Sequence, residues 1–138
     1  MISKQKTVQF KTFEDLEVYK AAREFRKRIY RLVQRLPNEE KYSLADQMRR
    51  AAISPTNNIA EGYGRYHYKE NIQFCRQSRG SLCELIDDLN LCIDEKYFPE
   101  DSLDELKLEA SHVHKLLNGY IAYLRRRKEE DLLAQSSK

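Results

Sequence analysis

Apolar residues recur along this chain at alternating spacings of three and four over four long stretches, the period of a helix with one buried face. The first stretch spans about residues 13 to 36 and sets Val18, Ala22, Phe25, Ile29, Leu32 and Leu36 on one side. Thr12 is placed to cap it, and Glu14, Asp15 and Glu17 suit the positive end of its dipole. A second helix is predicted from about Ser43, with Leu44, Met48, Ala51, Pro55 and Ile59 facing inward and Gly62 and Gly64 ending it. The third, about 68 to 96, aligns Ile72, Cys75, Arg79, Leu82, Ile86, Leu89 and Ile93, with Arg79 the odd member of an apolar stripe. The fourth opens on Ser102 with Glu105 as a capping box, then carries Leu103, Leu106, Ala110, Val113, Leu117, Tyr120 and Leu124.

Four such helices with short connections pack as antiparallel neighbours, so the predicted fold is all-α, an up-down-up-down antiparallel four-helix bundle. The bundle is assigned to residues 10–128, with flexible tails at 1–9 and 129–138. One core suffices for a chain of 138 residues, which buries about two-thirds of the surface its unfolded form exposes.

One segment departs from plain bundle sequence. Asn58-Ile59-Ala60-Glu61-Gly62-Tyr63-Gly64-Arg65 follows Pro55 inside a helical stretch. Proline removes an interior helical hydrogen bond and crowds the preceding turn, and each glycine weakens a helix by roughly 1 kcal/mol relative to alanine. Pro55, Asn58, Glu61 and Gly62 are therefore candidates for a special packing or subunit contact. Mid-helix three carries a second unusual run, Arg79 to Leu85, where Gly80 and Ser81 lack bulk and would admit another helix closely. Arg79 and Glu84 then serve as an internal ion-paired set, with Glu61 a candidate partner, or as contacts to another subunit.

Charge adds a further pattern. Residues 1–80 carry 17 Lys+Arg against 9 Asp+Glu, a net of +8, while residues 81–138 carry 8 against 13, a net of −5. The first helix holds Lys20, Arg23, Lys27, Arg28, Arg31 and Arg35 within an arc of about 140° opposite its apolar side, broken by Glu17 and Glu24. Arg49, Arg50, Arg65, Arg76 and the run Arg125-Arg126-Arg127-Lys128 add cations on the other helices. Such a surface attracts nucleic acid by releasing condensed counterions, giving salt-sensitive and weakly sequence-specific binding. Tyr63, Tyr66 and Tyr68 beside Arg65 make an aromatic-basic cluster able to stack unpaired bases, a role that competes with simple capping of the bundle end.

Catalytic signatures are sparse. No HExxH, P-loop or GxSxG occurs, and the single Glu-x-x-His match, Glu109 with His112, lacks the second that a di-iron bundle requires. The expectation is therefore no enzyme, no metal and no cofactor. The 3 cysteines, Cys75, Cys83 and Cys92, lie on one predicted helix with neighbours roughly 12 Å apart, too far to pair there, and are read as reduced core or near-core residues. No apolar run is long enough to span a bilayer and no signal peptide opens the chain, so a cytoplasmic protein without a membrane partner is expected.

Phe13-Glu14-Asp15-Leu16-Glu17-Val18-Tyr19-Lys20-Ala21-Ala22, the run from Leu44 to Arg65, and Arg79 to Leu85 appear in an order that resembles the bacterial four-helix proteins encoded by intervening sequences of large-subunit ribosomal RNA. The likeness covers roughly residues 10 to 125, and Asn58 to Gly62 with Gly64-Arg65 is its most specific part. Tyr19, where the family often has tryptophan, and Thr56-Asn57 are slight departures. The resemblance implies a five-membered ring with a basic surface that binds RNA, or alternatively DNA, and no established catalysis. A related branch serves as the accessory protein of diversity-generating retroelements, which implies a reverse transcriptase and its template RNA as alternative partners. Ring assembly would multiply a modest positive face several-fold.

Overall fold

The computed structural model describes residues 12–136. The tail expected at 1–9 and the first residues of the expected bundle lie outside the described residues, as do 137 and 138. Four helices form, α1 (Glu17–Val33), α2 (Leu44–Tyr63), α3 (Tyr68–Asp94) and α4 (Glu100–Ser136), with no strand among the described residues. Short 3-10 turns at Phe13–Asp15 and Asn38–Glu40 precede α1 and α2.

Helix ends follow local chemistry more finely than the periodicity did. Thr12 does form a capping box, its hydroxyl accepting from Glu14 N at 3.0 Å while Asp15 Oδ2 accepts from Thr12 N at 3.0 Å. That box starts the 3-10 turn, and Leu16 in extended conformation separates it from α1. At the start of α4 no Ser102 cap forms. The Ser102 hydroxyl donates to Pro99 O at 2.7 Å and the helix begins at Glu100, with Glu100 and Asp101 set against its positive end. The described part of the expected 129–138 tail is helical, because α4 continues to Ser136. The run has no glycine or proline and is rich in good helix formers such as Glu129, Glu130, Leu132, Leu133, Ala134 and Gln135, which keep it helical although it is exposed.

Each helix packs on two neighbours, α1 on α2 and α4, and α3 on α2 and α4, which places α1 and α3 diagonally. Cross-helix hydrogen bonds fix the antiparallel sense. Across α2 and α3, Gln47 reaches Asp88, Ser54 meets Ser81 and Pro55 meets Ser78, the partner number falling as the first rises. Across α3 and α4, Arg79 pairs with Asn118 and Asn90 with Lys107. The core lies along the axis, where Phe25, Ile29, Met48, Ile59, Leu82, Leu89, Leu117 and Ile121 are almost fully removed from water. Every inward residue expected on α2 is buried, Pro55 among them. Among the described residues no helix is long and apolar enough to cross a membrane.

The buried stripe of α3 is rotated from the expected one. Ser78, Leu85 and Cys92 point inward where Arg79, Ile86 and Ile93 were expected, while Ile72, Cys75, Leu82 and Leu89 hold their places. Small polar Ser78 can enter because its hydroxyl donates to Pro55 O at 2.8 Å, so its polar atom is satisfied inside the interface. Arg79 is thereby turned to the α3–α4 edge, where it donates to Asn118 Oδ1 at 2.8 Å, and it needs no carboxylate. Glu61 pairs instead with Arg65 at 2.9 Å, and Glu84 is exposed.

Small residues also sit differently from expectation. A Cβ built on Gly80 would meet nothing within 4 Å, so Gly80 admits no helix within the bundle. The close approach falls on Gly62, where a Cβ would lie 2.6 Å from Asn71 Oδ1, 3.0 Å from Phe74 Cβ and 3.1 Å from Asn71 O. Ser81 is the member of its run that meets α2, its hydroxyl donating to Ser54 Oγ at 2.7 Å. Asn58 completes that junction by donating to Ser54 O at 3.0 Å and Ser54 Oγ at 2.9 Å. Helix α2 thus runs through Pro55 with side-chain hydrogen bonds clustered on either side of it.

Candidate nucleic-acid interface

Outward positions of α1 carry the expected cations, but local carboxylates neutralise half of them. Lys20 pairs with Glu17 at 3.5 Å, Lys27 with Glu24 at 3.1 Å, and Arg28 with Glu109 of α4 at 2.8 Å. The Lys27 ammonium, hydrogen-bonded to Glu24, holds that carboxyl below its ordinary value. Arg23, Arg31 and Arg35 are exposed with no carboxylate partner among the described residues, and the Arg35 guanidinium lies 5.2 Å over the Phe98 ring. Arg26 escaped the sequence reading. It is half-buried at the α1–α2 edge and donates to Thr56 Oγ1 at 2.8 Å, which satisfies a hydroxyl otherwise hidden in the core.

The remaining candidate cations divide. Arg50 pairs with Asp46 at 2.9 Å, and Arg49 is half-buried beside the α1–α2 connection. Arg65 is held by Glu61 and lies 4.9 Å over the Phe74 ring. Arg127 reaches Glu130 only at 3.9 Å, while the Tyr68 hydroxyl beside it raises its pKa. Arg126 points to solvent from α4.

Arg125 converges with cations that the sequence analysis names singly, Arg76 and Lys128, and with Lys69, which it does not name. It joins Arg76 and Lys69 of α3 and Lys128 of α4 around a pocket of about 150 Å³, completed by Ile72 and Gln73 and containing no acidic residue. None of these four cations has a carboxylate partner among the described residues. Their signal was available in register: the antiparallel α3–α4 pairs place residue 72 opposite 125, so the cations one turn either side of Ile72 converge on the α4 basic run.

Adjacent to this pocket, the end of the bundle is aromatic. Tyr63, Tyr66, Tyr68, Tyr120 and Tyr123 line a concavity of about 280 Å³ with Arg65 and His67. Tyr66 is 92% exposed, and Tyr120 and Tyr123 stack with centroids 6.2 Å apart. Tyr120 is anchored from within, its hydroxyl accepting from Asn71 Nδ2 at 3.3 Å, and burial pushes its pKa up to about 12. Only Tyr63, Tyr66 and Tyr68 were legible as a cluster, because Tyr120 and Tyr123 arrive from α4 half the chain away.

Among the described residues no group of three His, Cys, Asp or Glu is placed to hold a metal ion. Cys75 and Cys92 are buried, with burial raising their thiols to about 12 and about 11, whereas Cys83 faces solvent and is not a core residue.

Comparison with known proteins bears on this geometry in two ways. The profile of the 23S rRNA-intervening sequence protein family matches residues 14–119. A crystal structure of a protein of unknown function from the S23 ribosomal protein family of Bacteroides thetaiotaomicron VPI-5482 aligns with a TM-score of 0.71 at 24% identity, covering 76% of this chain and 95% of that one. At that identity the likeness shows a common fold. No curated protein matches the chain.

Proposed function

The chain belongs to the 23S rRNA-intervening sequence protein family, and from that premise we propose that it is a non-enzymatic, self-associating RNA-binding protein of the cytoplasm. The observation that carries this reading is the convergence of cations without carboxylate partners, Lys69, Arg76, Arg125 and Lys128, on one side of a rigid bundle. Like charges gathered without ion-pair partners are unfavourable for the isolated chain and favour a polyanion through counterion release. Arg23 and Arg31 on α1 supply a second, weaker positive face. Self-association suits the charge layout, since α1 and α3 lie diagonally and present a basic and a partly acidic face, the latter through Glu84 and Asp87. Repetition of a basic surface around a closed ring would raise avidity well above that of one chain.

Light scattering coupled to size exclusion, followed by RNA titration at 50 and 200 mM salt, tests the proposal. An oligomer whose affinity falls at least tenfold between the two salt concentrations is the expected result. A monomer with no measurable RNA affinity at the lower salt would overturn it.

A further inference from the structure

We infer that the chain binds single-stranded RNA in preference to duplex, in a continuous channel at the α3–α4 end of the bundle, with phosphates on the four-cation pocket and a base among the tyrosines. This placement rests on the nucleic-acid reading above and moves its principal contact surface away from α1.

Continuity of the channel follows from shared walls. The tyrosine concavity shares Tyr66, His67 and Tyr68 with a wider cleft of about 860 Å³ beneath the projecting end of α4. That cleft in turn shares Lys69, Gln73 and Lys128 with the cationic pocket. A strand entering at Arg76 and Arg125 would therefore pass Lys69 and Lys128 and arrive at Tyr66 without leaving a concave surface.

Chemistry along this path sorts the two halves of a nucleotide. A pocket of four cations with no acidic residue in its own lining favours phosphate at one end, and exposed phenol rings offer flat apolar faces at the other. The α3 N-terminus opens into the middle of the cleft, and His67 at its cap makes no side-chain hydrogen bond to the first-turn amides. Glu70 and Asp131 line that middle cleft and repel phosphate there. A flexible strand can turn a base or sugar toward those carboxylates, whereas a duplex presents two rigid phosphate rows and holds its bases stacked inside, out of reach of the tyrosines.

On α1, three of the six outward cations are already paired with carboxylates, so an incoming phosphate there must displace Glu17, Glu24 or Glu109. The α3–α4 pocket imposes no such exchange.

The test is fluorescence anisotropy of the full chain with a 5′-labelled 12-nucleotide uridine RNA and a 12-base-pair RNA duplex at 50 mM salt. The single strand should bind at least fivefold more tightly. Lys69→Glu with Arg125→Glu should weaken it at least tenfold, Lys27→Glu with Arg31→Glu less than threefold, and Tyr66→Ala with Tyr123→Ala should erase the preference for single strand. Circular dichroism and the urea midpoint check folding, and Lys69→Gln with Arg125→Gln replaces the reversal should that variant unfold. Wild-type affinity in the folded groove variant, or a preference for duplex, overturns the channel while leaving RNA binding standing. A wild-type chain that binds neither RNA overturns the functional reading itself.

Discussion

Gln47 Nε2 donates a 2.8 Å hydrogen bond to Asp88 Oδ1 across the α2–α3 interface, while Asp88 Oδ2 is buried without a partner. Asp88 is only 3% exposed. Burial above all, with Glu84 and Asp87 adding repulsion against the lowering effect of Gln47, pushes its carboxyl up to about 6. Helix α3 therefore carries a carboxylate whose ionised form the fold disfavours.

Because the folded-state value lies above the unfolded one, the folded chain binds the proton more tightly, and stability falls as pH rises from about 4 to about 6 before levelling off. The ceiling on this effect is about 3 kcal/mol from the size of the displacement. Urea midpoints should decline between pH 4.5 and 7 in the wild type and lose that slope in Asp88→Asn. A wild-type midpoint that rises over this range would show that Asp88 is not the controlling group.

Glu40 titrates with the opposite sign. Its carboxylate accepts from the Tyr97 hydroxyl, from Ser43 Oγ and from Leu44 N, tying the α1–α2 connection to the α3–α4 connection. The Tyr97 hydrogen bond, then that from Ser43, lowers its pKa. Stability from this cluster is present above the ordinary carboxylate range and is lost as pH falls through the folded-state value. Tyr97→Phe should therefore destabilise at pH 7, with the gap to wild type closing below pH 4. Thermal unfolding at pH 3 and pH 7 measures both, and a pH-independent gap would assign Tyr97 a packing role alone.

Gly62 and Gly80 should respond to alanine in opposite directions. At Gly62 the new methyl meets Asn71 and Phe74, and Asn71 has little room to yield since it also bonds Tyr120 and Cys75. The expected cost is about 1–3 kcal/mol, typical of overpacking. At Gly80 the methyl enters open space in mid-helix, and the helix gains about 0.5–1 kcal/mol. Urea unfolding of the two variants reads the sign directly, and a stabilised Gly62→Ala would refute the close α2–α3 approach.

These glycines illustrate where sequence was legible and where it was not. Helical period alone located α1, α2 and most of the α4 core, because Val18, Met48 and Leu117 follow the simple rule that apolar residues face inward. It misplaced the α3 stripe because Ser78 reaches Pro55 O, a satisfaction that exists only once two helices meet. The basic character of α1 was visible as well, yet its neutralisation by Glu109 depends on α4 lying alongside. Lys69 and Arg125 are distant in number and adjacent only through antiparallel register, so the cationic pocket could not be read from either helix alone.

Residues 130–138 offer the last test, because the described part of this segment, the α4 projection, is helical while burying almost nothing. All residues from Glu129 to Ser136 are exposed, and the nearest ion pair, Arg127 with Glu130 at 3.9 Å, is of the surface kind that contributes at most about 1 kcal/mol. Its helicity is carried by continuity with the packed part of α4, which removes the cost of nucleation. Deleting 130–138 should therefore leave the unfolding free energy measured in urea within about 0.5 kcal/mol of wild type and lower the helical signal only in proportion to the residues lost. It opens the wide cleft by removing Asp131 and Leu132 but leaves Lys69, Arg76, Arg125 and Lys128 in place. RNA affinity should persist. If the truncated chain unfolds at markedly lower urea, Leu132 and Leu133 are buried in an assembly, and the projection is a subunit contact.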